Sequence, residues 1–339
     1  MGDRERPLGA QAEELTPAPT MPRFVRLWPL WLLTIGSGST WQRDTSAQRS
    51  VGPGTHFGEI EGVAFSRDGR LLATADNSGR IAIWNARTRK LLRVLSGRNF
   101  TEVAFTPTGS KIVAAGFDSV VTLFDVATGG TVRKWTYPGP VETVAVAPDG
   151  SRVAAGGGDN TVRVWVLTTG AEVLLLRGHT DDVYTVKFTP DGATILSAGR
   201  DRTVRVWDAR SGATIRTMRG FDDSVYALDV APGGKFVALA LRSGVTQIRR
   251  ISDGRVARIF RGHSDSVHGV AFNPNGRLVA TAGFDGAVAV WDVRSGRRIL
   301  SSTRHTRKAS GIAFDPDGRW VVSVGSDTTA RFWRVPEAR

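Results

Sequence analysis

The sequence predicts an all-β fold, a seven-bladed β-propeller of four-stranded blades, on three observations. A strand-like segment ending in Trp-Asp recurs along the chain. A Gly-containing turn motif recurs in step with it. The copies are spaced by about 42 residues, the length of one four-stranded unit.

The clearest strand copy is DRTVRVWDARSG, residues 201–212. Val204, Val206 and Trp207 alternate with polar residues, and Gly212 marks the next turn, the pattern of a half-buried strand. Such a strand cannot bury its apolar face alone, so it needs copies of itself to pack against. The closing position of each copy holds Trp84, Phe124, Trp165, Trp207, Arg249, Trp291 and Trp333, with gaps of 40, 41, 42, 42, 42 and 42 residues. The second motif, whose last two residues lie 16 and 15 residues before that closing position in each unit, runs from FSRDG at Phe65 through FTPDG at Phe188 to FDPDG at Phe314. Pro-Asp-Gly between apolar runs is turn chemistry, because Pro presets φ and Gly tolerates positive φ.

Two motifs held in phase through seven units resemble the WD40 family over roughly residues 46–339. The resemblance implies a polar tetrad in each blade: a His before the innermost strand, a hydroxyl in the second, an Asp in the following turn and the Trp of the third. By position the tetrad is complete as His179, Ser197, Asp201 and Trp207, as His263, Thr281, Asp285 and Trp291, and as His305, Ser323, Asp327 and Trp333. Blade one has His56, Thr74 and Trp84, with Ser78 in place of the Asp. Blades two and three keep Asp118 and Asp159 but carry Ala114 and Ala155 at the hydroxyl position and lack the His. Blade five places Phe221, Leu239, Ser243 and Arg249 at the four positions, so it is expected to be the least rigid, with little cost to removing Arg249. The family also implies that an N-terminal strand closes the ring. Counting back from His56 puts it near Gln48–Gly54, a poor strand with Pro53 and two glycines, with Trp41 as an added anchor.

Residues 1–45 form an extension. Within it, MPRFVRLWPLWLLTIGSGST begins at Met21, and its apolar run is too short for an ordinary transmembrane helix. It fits a secretory signal if translation starts at Met21, and otherwise a partly apolar tail. The location is then outside the cell in the first reading and cytoplasmic in the second. No transmembrane span is expected. The chain has no cysteine, which excludes thiol catalysis, disulfides and Cys-ligated zinc.

Four of the five histidines fall at the tetrad position and read as structural. His268 stands alone, without a metal-ligand cluster near it in sequence. Glycine runs such as GGGDN at Gly156 sit in β-turns and open no helix, so they cradle no phosphate. No catalytic constellation, cofactor or metal is expected. The leading function is a non-catalytic interaction scaffold that binds a peptide or protein. In WD40 proteins, partners often meet the face formed by the loops before the innermost strands and by the turns after the second strands. Read onto this chain, one equivalent slot holds Tyr184, Tyr226 and His268 in blades four to six. The slot before the turn Asp holds Arg200, Arg242 and Phe284, with Asp182 and Lys308 nearby. The rest of the ring holds Glu59, Glu61, Thr101, Phe117 and Glu142. Rigid aromatics and Arg are hot-spot chemistry and suit a peptide with acidic and apolar anchors. These rings could equally pack on one another and cap the channel.

The alternative function is a polyanion or nucleic-acid binder. The net charge is +13, and Arg outnumbers Lys 39 to 6. Residues 249–308 hold twelve basic and four acidic side chains. Arg255, Arg258 and Arg261 are expected on the outer strand of blade five, and Arg297, Arg298 and Arg304 on that of blade six. The competing explanation is that charged outer strands block edge-to-edge aggregation.

Overall fold

The computed structural model describes residues 50–51, backbone only, and 54–336. Contacts divide the chain into residues 1–45 and 46–339; the signal-like segment and Trp41 lie outside the described residues. The second unit consists of seven antiparallel four-stranded sheets, each built in chain order from inside to outside except the last. The innermost strands are Ile60–Phe65, Phe100–Phe105, Val141–Val146, Val183–Phe188, Val225–Val230, Val267–Phe272 and Ala309–Phe314. Each packs against the innermost strand of the next sheet, and the seventh returns to the first. This is the seven-bladed propeller that the repeat implies.

The last blade has three full strands, ending in Ala330–Arg334. Ser50–Val51 pairs with it, Ser50 opposite Arg331 and Val51 opposite Ala330. Both residues lie in the Gln48–Gly54 stretch, of which residues 48, 49, 52 and 53 lie outside the described residues.

Burial follows the strand order. The second strands, such as Thr194–Gly199, are buried almost throughout, because a blade covers each of their faces. The outer strands carry the exposed side chains, including Leu92, Val132, Val173 and Ile215. The apolar core is a series of clusters, each filling the gap between two neighbouring blades, as where Trp207 of blade four shares a cluster with Val162 and Leu176 of blade three.

Polar bridges join the innermost strands as well. Glu102 of blade two accepts from Thr143 Oγ1 at 2.6 Å and Val144 N at 3.0 Å of blade three. Thr143 Oγ1 accepts from Val186 N, Thr185 Oγ1 from Leu228 N, and Asp229 Oδ2 from Phe272 N. Glu102 also holds Lys187 Nζ at 2.6 Å across the channel.

Candidate functional site

The four-part polar chain forms in the three blades where the sequence places it. In blade four, Trp207 Nε1 donates to Ser197 Oγ at 2.8 Å, Ser197 Oγ lies 2.7 Å from His179 Nε2, and His179 Nδ1 lies 2.7 Å from Asp201 Oδ2. With the ring proton on Nδ1, each of these contacts has one donor and one acceptor. The same chain runs through His263, Thr281, Asp285 and Trp291, and through His305, Ser323, Asp327 and Trp333. Burial works to raise the Asp201 pKa, but hydrogen bonds from His179 and Thr203 outweigh it and hold the carboxyl at about 2.

Three blades depart from the sequence reading. Blade one has a complete chain after all, because Asp76 supplies the carboxylate two residues before Ser78. His56 Nδ1 lies 2.7 Å from Asp76 Oδ2, and Ser78 Oγ donates to Asp76 Oδ1 at 2.7 Å. Asp76 sits where blades four, six and seven have Gly199, Gly283 and Gly325. In blade six a Cβ at Gly283 would come within 2.5 Å of His263 Nδ1 and 2.8 Å of Asp285 Oδ1. The two carboxylate positions therefore exclude each other.

In blade three Tyr137 occupies the His position. Its hydroxyl donates to Asp159 Oδ1 at 2.6 Å and lies 2.7 Å from Thr161 O. Burial, with Asp159 alongside, pushes the phenol pKa up. In blade five the Arg249 guanidinium lies 3.9 Å over the Phe221 ring and donates to Arg219 O at 3.0 Å and to Gln247 Oε1 at 2.9 Å. Arg249 is buried, so this blade carries a cation–π tie of its own in place of the tetrad.

The candidate binding face is built by a bulge that all seven blades share. The pairing of the innermost with the second strand shifts register at the second residue of each innermost strand. The extra residues are Glu61, Thr101, Glu142, Tyr184, Tyr226, His268 and Ser310. A bulge re-aims side chains, and all seven line one cavity of about 330 Å³ at the channel mouth.

The ring is two-sided in chemistry. Blades four to six give an aromatic arc: Tyr184 and Tyr226 centroids lie 5.3 Å apart, Tyr226 and His268 4.1 Å, and His268 stacks on Phe284 at 3.5 Å. Lys308 Nζ sits 4.2 Å from the Phe284 centroid. Blades one to three give Glu61, Thr101 and Glu142, with Phe117 at their side. Burial pushes Glu61 up to about 7, helped by Glu59 and opposed by Lys308. Burial also pushes Glu142 up to about 7, with Asp182 and Glu61 adding to it. Burial drives His268 down to about 3, so its ring is neutral at physiological pH, and its buried Nε2 has no hydrogen-bond partner.

The structure thus brings Tyr184, Tyr226, His268 and Phe284 together. Arg200 and Arg242 are exposed on the turns beside them and do not line the cavity. Arg200 lies 3.6 Å from both Asp181 and Asp182, while Arg242 forms no ion pair among the described residues. The rings do pack on one another, yet they still face an open cavity.

The basic outer edge is less coherent. All six of its arginines are exposed, but only Arg258, Arg261 and Arg298 lie within outer strands, Val256–Arg261 and Arg298–Ser302. Arg255 and Arg297 fall just before these strands, which begin one residue later than the spacing suggested, and Arg304 falls beyond the second, which ends at Ser302. Arg258 donates to Val293 O and Arg294 O of the next blade, so its guanidinium is already engaged. Arg93 does the same to Ala127 O and Thr128 O, and Arg133 to Thr168 O. Among the described residues no group of three metal-ligating side chains converges, and no helix is long and apolar enough to cross a membrane.

The family model described as "WD domain, G-beta repeat" matches residues 52–85, 130–166, 170–208, 254–292 and 296–334. The chain is similar to the Retinoblastoma-binding protein 5 homolog of Drosophila melanogaster, 36% identical over 80 residues, 23% of this chain and 16% of the relative. It is also similar to human Apoptotic protease-activating factor 1, 33% identical over 84 residues, 22% of this chain and 7% of the relative. Meiotic recombination protein rec14 of Schizosaccharomyces pombe is 31% identical over 72 residues, 21% of this chain and 24% of the relative. The chain therefore matches less than a quarter of the length of each.

Proposed function

Because the chain belongs to the WD-domain, G-beta repeat family, whose propellers typically bind proteins or peptides, we propose that it is a non-catalytic interaction scaffold. Its partner is a peptide or protein domain held on the loop face of blades four to six. The observation that carries this reading is the bulged ring at the channel mouth. There a rigid aromatic arc faces an open cavity while Arg200 and Arg242 stand exposed beside it. Stacked rings lose little entropy on binding and bury much area, and an exposed guanidinium can receive a carboxylate. A peptide with apolar and acidic anchors fits that face.

The outer edge of blades five and six is the weaker candidate, since Arg258 spends its donors within the fold. Affinity capture from the native host, with and without nuclease, tests the choice. A defined protein that survives nuclease is expected. Recovery of nucleic acid alone would overturn the scaffold reading.

A further inference from the structure

The mouth ring is asymmetric in a way that the apolar and acidic anchors do not use. Opposite the aromatic arc stand Glu61 and Glu142, both lining the cavity and close enough for the Glu61 charge to act on Glu142. Glu142 and Tyr184 of the next blade both line the opening, so carboxylate and aromatic side chains share it. Neither carboxylate makes a hydrogen bond or ion pair with the described residues. The third carboxylate lining this cavity, Glu102, is satisfied by Lys187 and Thr143.

We infer that the channel mouth receives one arginine side chain projected by the bound partner, its guanidinium lying on the Tyr184–Tyr226 side and held by Glu61 and Glu142. The inference rests on the loop-face reading above and names the anchor that enters the channel. Three properties select a guanidinium. The cavity, about 330 Å³, admits one long side chain and no folded element. Aromatic faces attract a cation, and a planar one can stack on them while its edge donates to carboxylates. The half-buried carboxylates hold no ion pair with the described residues: the Lys308 charge acts on Glu61, but its ammonium is exposed and lies over Phe284. An acidic side chain at the same depth would meet two carboxylates and be repelled.

Protonation gives the site a signature. Glu61, facing Glu59 and Lys308, and Glu142, facing Asp182 and Tyr184, both sit near pKa 7. A cation binds the ionised forms. Between pH 6 and pH 8 the ionised fraction of each such carboxyl rises from about a tenth to about nine tenths, so affinity should rise at least about tenfold.

The probe is N-acetyl-arginine amide, titrated against the full chain by NMR or calorimetry beside its neutral isostere N-acetyl-citrulline amide. The arginine probe should bind at least tenfold more tightly at pH 8 than the citrulline probe, and at least about tenfold more weakly at pH 6 than it does itself at pH 8. Glu61→Gln with Glu142→Gln should remove that preference without altering the melting temperature downward. Equal binding of the two probes, or an arginine preference that survives both Gln substitutions, overturns the inference. The loop-face reading fails separately: it is lost if Tyr226→Ala and Arg242→Ala leave partner binding unchanged. A partner that needs Tyr226 but binds the double Gln variant as it binds the parent keeps the face and refutes the arginine.

Discussion

Blade one offers a test of the idea that the polar chain needs one carboxylate in either of two places. Asp76 is fully buried and accepts from His56, Ser78 and the Arg80 backbone N–H. Asp76→Gly orphans the buried His56 donor, whereas Ser78 and Arg80, nearer the surface, can turn to water. One orphaned buried donor and one lost charge-assisted bond cost about 3 kcal/mol. Adding Ser78→Asp to Asp76→Gly recreates the Gly-x-Asp spacing of blades four, six and seven. It should restore stability to within about 1 kcal/mol of the parent. Ser78→Asp alone should destabilise, since it places a second carboxylate beside Asp76. The assay is urea denaturation, read as the shift in midpoint at constant slope. If the double variant is no more stable than Asp76→Gly, the carboxylate does not move between these positions and the reasoning is wrong.

Other outcomes follow from the same geometry. Trp207→Ala should cost roughly 3–5 kcal/mol, a lost buried aromatic plus an orphaned hydroxyl. Arg249→Ala should cost about 2 kcal/mol, because it uncovers Phe221 and frees the Arg219 and Gly220 carbonyls; a loss near zero would show that blade five has no tie. The tetrad aspartates are held below the ordinary carboxyl pKa of 3.8, Asp76 and Asp201 at about 2. Their contribution is full above pH 3.8 and is lost as pH falls through about 2. Glu61 and Glu142 have the opposite sign: raised from 4.5 to about 7, they favour the folded state when protonated. Stability should therefore fall as pH rises from 4.5 to about 7, and Glu61→Gln with Glu142→Gln should flatten that slope in a pH series of denaturation curves. Heparin retention, if present, should fall steeply with salt. Reversing Arg255, Arg258 and Arg298 to Glu should leave partner binding intact, which a filter-binding or chromatography assay can read.

Much of this was legible in the sequence because the repeat writes each position seven times. The Trp, His and Asp spacings located three tetrads and the slot shared by Tyr184, Tyr226 and His268. What escaped were substitutions that conserve a role by different chemistry. Tyr137 lies 22 residues before Asp159, as His179 does before Asp201, so spacing pointed to it while residue type concealed it. Asp76 lies 20 residues after His56, and an offset of two is invisible to a register that fixes the Asp in the turn. The Arg249–Phe221 contact needs the fold to bring the two side chains together across the blade. The bulge that makes the mouth ring is a pairing irregularity, and a period of two residues along a strand does not reveal it. The strut role of Arg258 depends on where the next blade's turn lies, which strand boundaries set and composition does not.

The central claim is that partners are held on the loop face of blades four to six. Its most direct test is calorimetric titration of a nuclease-resistant captured partner with the parent, Tyr226→Ala and Arg242→Ala. Each variant should weaken binding by about 1–2 kcal/mol, the scale of an interface hot spot, with an unchanged melting temperature. Parent-like affinity in both variants would contradict the claim and move the recognition surface elsewhere on the propeller.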